Sequence, residues 1–332
     1  MGKLKKPDFN AAGAFVPRRI DNYRCDTLYE AVQRKYPKYV DNFAFRFKDA
    51  TGRDFEWENI TPENLDKFVQ YLNACGLSPN SVNQYCKKLK AVIGLYSAEK
   101  RIDASYRTLL TTPTDDCFFV YINDDEVDML LDYLEKLKTR PIRYTLTGRE
   151  WAVDHKHRQI VILKQFLVGL FTGARHSDYI HFTWNNVREA VADDGTPIYV
   201  LTYTSQKTGI KADVPLPMSS PIISIIKDMP RDQYPTGIFN DELRLICHDA
   251  GLTRRVFYHI KGRDFEGPLY AAISSHSARR SFASNYLSAG ANLIDVMHFM
   301  GHSNTEQTLG YNQSGPRFDS RIIDSRKRRK VT

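Results

Sequence analysis

Apolar residues recur at helical spacing through the first third of the chain. Leu65, Phe68, Val69 and Leu72 share one helical face, predicting a helix over 62–73. Thr61-Pro62 supplies a capping hydroxyl and a proline at the first helical position, and Gly76 a stop. Ser78-Pro79 opens a second helix in the same way, predicted over 79–97. Its apolar face is Val82, Tyr85, Cys86, Leu89, Ile93 and Tyr96, and its other side carries Asn80, Asn83, Gln84, Lys87 and Lys88. That polar, basic side suits a DNA groove and a solvated surface equally.

Thr111-Thr112-Pro113-Thr114-Asp115-Asp116 reads as a linker. Beyond it, Asp124 followed by Val127, Leu130, Leu131 and Leu134 predicts a capped helix, and 160–171 a strongly apolar one ending near Gly173. The period then shortens to two. Strands are predicted over 187–192 and 197–204 around the turn Asp193-Asp194-Gly195, and a third over 211–217 after the turn Gln206-Lys207-Thr208-Gly209. The remainder is predicted to be mostly helical. The expected fold is mainly α with a small antiparallel β-sheet, an α+β chain. It divides into a basic arm at 1–24, a helical domain at 25–112 and a second domain with a C-terminal tail at 118–332.

A length of 332 residues is ample for two cores. No apolar run is long enough to span a bilayer, and the start lacks a secretory signal. Met1-Gly2 is followed by Lys6 where a myristoylation signal needs Ser or Thr. The five cysteines have no metal-type spacing, which fits reduced, buried thiols in a prokaryotic cytosol. Lys plus Arg number 47 against 39 acidic residues, a net charge of +8, which favours a polyanionic partner. The arm carries Lys3, Lys5, Lys6, Arg18, Arg19 and Arg24, and it reads equally as a solvated terminus.

Four segments carry chemistry: Gly173-Ala174-Arg175 with Asp178 after it; Lys207 in a hairpin turn; His276-Ser277-Ala278-Arg279 opening a helix; and Gly301-His302, with Thr308 and Tyr311 following. Each alone is commonplace. In this order and context they resemble the tyrosine recombinase family, the phage-type integrases, across 118–316. Ala278 and Arg280 stand where that family often has Leu and His, a departure outside the core groups. The helical domain resembles, more loosely, the family's core-binding domain, and the two proline-started helices resemble integrases of Bacteroidetes mobile elements.

The resemblance implies a site-specific DNA recombinase with Arg175, Lys207, His276, Arg279, His302 and Tyr311 as catalytic groups and Asp178 supporting Arg175. Fixed guanidiniums meet charge developing on phosphate oxygens. A tyrosine, ordinarily titrating near 10, needs such cations to act as nucleophile. Lys207 would protonate the leaving 5′ oxygen. Which histidine helps Tyr311 stays open. The implied 3′-phosphotyrosyl bond conserves energy, so neither ATP nor metal is expected, and no cofactor. The implied partners are double-stranded DNA with defined sites and a homo-tetramer passing through a Holliday junction, with room for accessory DNA-bending proteins. Phe318, Ile322 and Ile323 in the tail suggest docking on a neighbouring protomer; Arg326 to Lys330 suggest phosphate contact instead. Type IB topoisomerases and telomere resolvases share this chemistry, and a catalytically silent DNA-binding protein is the alternative from another class.

Overall fold

The computed structural model describes residues 25–112, 120–141, 149–260 and 263–310. The basic arm, the centre of the linker, Tyr311 and the tail lie outside the described residues. The chain divides into two compact units, Met1–Asp116 and Cys117–Thr332.

In the first unit, helices run α1 (Leu28–Lys35), α2 (Val40–Thr51), α3 (Pro62–Ala74) and α4 (Pro79–Tyr96). Local chemistry sets their ends. Thr27 and Glu30 form a reciprocal capping box on α1, and Gly52, at φ +68°, closes α2. The Thr61 and Ser78 hydroxyls accept from the backbone N–H groups of Asn64 and Ser81, so both proline-started helices lie where the sequence predicts them. The inward faces meet in an aromatic cluster. Phe43, Phe47 and Phe68 are fully buried, with ring centroids 5.8 Å apart for Phe47–Phe68 and 5.0 Å for Phe43–Tyr85.

The second unit holds α5 (Asp124–Thr139), α6 (Arg149–Thr172), α7 (His176–Tyr179), β1 (Val187–Val191), β2 (Pro197–Thr204), β3 (Lys211–Pro217), α8 (Ile222–Lys227), α9 (Thr236–Asp249), β4 (Arg255–Ile260), β5 (Arg263–Pro268), α10 (Leu269–Ala272), α11 (Ser277–Ala289), α12 (Leu293–Met300) and α13 (Thr305–Leu309). Strands β1, β2 and β3 form an antiparallel sheet in that order, with Leu201 opposite both Val187 and Val214. The expected fold class is what the chain adopts.

Helix α6 is the axis of this core. Residues 161–170 are all buried, so this stretch has no solvent-facing side to reveal an amphipathic period. Lys164 satisfies its buried ammonium on the carboxylate and carbonyl of Asp228, at 2.5 and 3.0 Å. The helix begins at Arg149 rather than at 160; its first part is polar in sequence and over 153–158 exposed or half-buried, so the apolar run alone marks only the later part. The cap of α5 is Asn123, with Glu126 completing the box, rather than Asp124.

The hairpin β4–β5 departs from the mostly helical expectation for residues beyond 217. Its register pairs Ile260 with Arg263 across Lys261-Gly262. The run Val256-Phe257-Tyr258 before a glycine was its signal. The run is short, and Phe257 faces outward, 66% exposed, so burial does not set up the alternation a half-buried strand shows.

Phe68→Ala should destabilise the N-terminal unit by about 3–5 kcal/mol, since it opens a cavity among packed rings. Urea unfolding followed by near-UV circular dichroism measures this, and an unchanged midpoint would remove the aromatic cluster as the unit's anchor.

Candidate active site

The end of α6 sets the first part of the site. Gly173 takes a left-handed conformation, φ +65°, and a Cβ there would lie 2.4 Å from Phe282 Cδ1. Both facts demand glycine. The turn this permits exposes the Gly173 carbonyl to Arg279, whose Nη1 donates to it at 2.8 Å. Arg279 is 1% exposed and lies in the first turn of α11. Helix α11 is held in place by its small polar face: Ser281 Oγ accepts from the Ile122 N–H at 2.8 Å, and Asn285 Nδ2 donates to the Ile122 carbonyl at 3.1 Å.

Arg175 occupies the N-cap position of α7. Its Nη1 donates to Ser205 Oγ at 2.7 Å, and the Ser205 hydroxyl donates to Asp178 Oδ2 at 3.2 Å. The other oxygen of Asp178 accepts the Gln206 N–H at 3.0 Å. Asp178 therefore reaches Arg175 through a hydroxyl, and the same carboxylate grips the start of the β2–β3 turn. Within that turn Ser205 and Ile210 pair through the backbone, Gly209 N–H donates to the Ser205 carbonyl at 2.8 Å, and Lys207 is exposed.

His276 occupies the N-cap position of α11, without a side-chain capping bond. His302 follows Gly301, whose positive φ of 61° ends α12; a Cβ at Gly301 would lie 3.7 to 3.9 Å from Ala212, Ile210 and Ser205. The His302 loop thus sits against the base of the turn that carries Lys207. His302 is 5% exposed, and its Nδ1 is hydrogen-bonded to Thr308 Oγ1 at 2.8 Å.

Electrostatics tie these groups into one site. Burial, then the positive charges of Arg280, Arg279, Arg175 and Lys207, push His276 down to about 4. Burial, then Arg279, Arg175 and His276, push His302 down to about 3. Both rings are neutral at pH 7, first because burial disfavours the charged form and then because cations surround them. A pocket of this kind is complementary to an anion. Among the described residues, no three His, Cys, Asp or Glu side chains converge as a metal site, and no helix is long and apolar enough to cross a membrane.

The profile of the phage integrase family matches residues 121–317, more than half of the chain, and that of the phage integrase SAM-like domain matches 24–108. The chain belongs to the phage integrase family. It is 22% identical over 297 residues to the tyrosine recombinase XerD of Oceanobacillus iheyensis, covering 88% of this chain and 89% of that protein. A shorter stretch of 73 residues is 38% identical to XerD of Listeria monocytogenes serotype 4b, covering 22% and 25% of the two chains. Among solved structures, the fold matches a lambda integrase (75–356) dimer bound to a COC′ core site, with a TM-score of 0.53, 16% identity and coverage of 88% and 99%. It matches the XerH recombinase in a post-cleavage complex with palindromic difH substrate, with a TM-score of 0.52, 16% identity and coverage of 89% and 78%. It also matches the Tn1549 transposon integrase in complex with transposon right-end DNA, with a TM-score of 0.53, 12% identity and coverage of 91% and 99%.

In this tyrosine recombinase, then, Arg175, Lys207, His276, Arg279 and His302 are brought together, and Asp178 lies beneath them. Tyr311 immediately follows the described Gly310 and lies outside the described residues. Ser205 is the participant that sequence reasoning missed. A serine two positions before a turn lysine carries no signal of its own, since its role depends on Arg175 and Asp178 arriving from another element.

On α4, Asn80, Gln84 and Lys87 are exposed. Lys88 is half-buried, its ammonium 4.1 Å from the Tyr39 ring centroid and hydrogen-bonded to Gln84 Oε1 at 3.2 Å. Asn83 is a correction: it is 6% exposed and cannot present itself to a groove from this conformation. At 100° per residue it lies about 60° beyond Cys86 on the helix wheel, on the flank of the inward face.

Because both histidines titrate below the ordinary value near 6.5, the unfolded chain takes up protons that the native site refuses between about pH 6.5 and 4. Native stability should therefore fall as pH drops through that window. The melting temperature measured from pH 7 to pH 5 should decline, less steeply in His302→Gln. Equal slopes in both proteins would show that His302 is not held neutral by its surroundings.

Proposed function

We propose that this recombinase breaks and rejoins double-stranded DNA at defined sites through a covalent bond from Tyr311 to the 3′ phosphate, with residues 25–112 and the catalytic unit both engaging DNA. The observation that supports this most directly is the buried cationic pocket made by Arg175 and Arg279 around two neutral histidines.

A phosphodiester entering that pocket meets two guanidiniums held by hydrogen bonds to Ser205 and Gly173. They stabilise the charge that grows on the non-bridging oxygens, and no reorganisation is needed when it grows. The phosphate's own charge raises the affinity of His276 and His302 for protons, which restores their capacity for proton transfer. His302 Nδ1 is engaged by Thr308 Oγ1; in the tautomer where that hydroxyl donates, the ring proton sits on Nε2 and can be given to a phosphate oxygen. His276 receives the Tyr311 proton, and the tyrosyl oxygen attacks phosphorus. Lys207, exposed on its turn, donates a proton to the departing 5′ oxygen. Reversal with a 5′ hydroxyl from another strand rejoins the backbone. In this reading Asn80, Gln84, Lys87 and Lys88 contact DNA from α4, four protomers act on two duplexes through a Holliday junction, and accessory DNA-bending proteins serve some sites.

Tyr311→Phe provides the test. A nicked duplex library with a randomised core, incubated with the unaltered chain and washed in denaturant, should yield covalently held sequences. On those duplexes Tyr311→Phe should bind in a gel shift and give no denaturant-resistant adduct. Adduct formation by the variant would reassign the nucleophile, whereas relaxation of plasmids lacking the captured sequence would favour a topoisomerase.

Lys207→Ala should cut cleavage of the same duplexes by about 100-fold or more. A substrate with sulfur at the 5′ bridging position should restore it, because a thiolate leaves without a proton. An equal defect on both substrates would take Lys207 out of the acid role.

A further inference from the structure

We infer that Ser205 is a positioning residue that couples the phosphate clamp to the general acid, so that Arg175 and Lys207 are set by one hydroxyl. The inference rests on the function proposed above. Ser205 is 1% exposed, at the junction where β2 enters the turn. Its Oγ accepts from Arg175 Nη1 at 2.7 Å and donates to Asp178 Oδ2 at 3.2 Å, which uses its proton and a lone pair in one relay. Its backbone closes the turn from both sides: its N–H donates to the Ile210 carbonyl at 2.9 Å, and its carbonyl accepts from Gly209 N–H at 2.8 Å. The next N–H, of Gln206, donates to the same carboxylate at 3.0 Å, and Lys207 follows.

The turn has little else to fix it. Gln206, Lys207, Thr208 and Gly209 are all exposed, so packing does not dictate where the lysine stem leaves the hairpin. Among the described residues, Arg175 is likewise held at its guanidinium by Ser205 rather than directly by a carboxylate. The hydroxyl between them makes the position of the arginine and that of the turn depend on each other. When DNA pulls Arg175 toward phosphate, the pull passes through Ser205 to the strand end that carries the acid.

Ser205→Ala removes the relay and leaves the backbone bonds of the turn. Single-turnover cleavage of the captured duplexes should fall between about 10- and 100-fold, the range expected when reacting groups lose their positioning by an ångström or less. Ser205→Thr, which keeps the hydroxyl, should recover most of the rate. DNA affinity and melting temperature of Ser205→Ala should stay near those of the unaltered chain. The distinguishing readout is the sulfur-bridged substrate. Since both the acid and the clamp are displaced, sulfur should rescue Ser205→Ala in part, whereas it rescues Lys207→Ala fully. Full rescue would confine Ser205 to the turn, and no rescue would confine it to Arg175; either overturns the coupling. A cleavage rate equal to that of the unaltered chain overturns it as well, as does a loss of rate matched by a loss of melting temperature in both Ser205 variants. Absence of adduct from the unaltered chain would instead overturn the proposed function itself, and this proposal with it.

Discussion

The catalytic end of the second unit depends on keeping the guanidinium of Arg279 out of water. A cation at 1% exposure is costly to desolvate, and the surrounding core must hold it there. Its bond to the Gly173 carbonyl offsets part of that cost and fixes its direction. The bond exists because Gly173 turns the chain with a positive φ, and because Phe282 on α11 fills the space a side chain would need. Gly169 allows the same closeness nearby, since a Cβ there would lie 2.6 Å from the Tyr179 ring. Tyr179 in turn donates to the Ser275 carbonyl at 3.2 Å, at the entry to α11. The packing of α6, α7 and α11 is thus the means by which a charged side chain is placed, and the hydrophobic core and the catalytic pocket are one structure.

That arrangement has an electrostatic consequence. Cations gathered in a poorly hydrated pocket repel further protons, so His276 and His302 stay neutral. By itself the site is electrostatically incomplete, and the proposed phosphate substrate would relieve it. Rigidity and mobility are divided accordingly. The groups proposed to meet phosphate are buried or half-buried and hydrogen-bonded, whereas Lys207, whose proposed proton transfer requires reach, stands on an exposed turn tethered at one end by Asp178 and Ser205.

Much of this was legible along the chain, because several determinants are local. The caps at Thr61 and Ser78, the change of period from helix to strand after residue 187, and the glycine-terminated end of α6 are written in neighbouring residues. The clustering of Arg175, Lys207, His276, Arg279 and His302 was legible through their order and spacing, by resemblance to a family with those motifs. Other features depended on what lies opposite. Asn83 carries a polar side chain and is nonetheless buried on the flank of α4. The β4–β5 hairpin presents an exposed Phe257, so its strands lack the alternation that burial imposes.

The sequence by itself determined the α+β class, the two proline-started helices, the strands β1 to β3, the end of α6, and which residue types could perform phosphoryl transfer. These follow from backbone propensity, capping and hydrophobic period, all of which act within a few residues. Only the tertiary structure decided that Asp178 reaches Arg175 through Ser205, that Arg279 rests on the carbonyl of Gly173, and that His302 lies against the base of the Lys207 turn. Those contacts join residues from about 27 to more than 100 positions apart, and hydrogen-bond geometry at 2.7 to 3.2 Å is set by how whole elements pack, which no local pattern encodes.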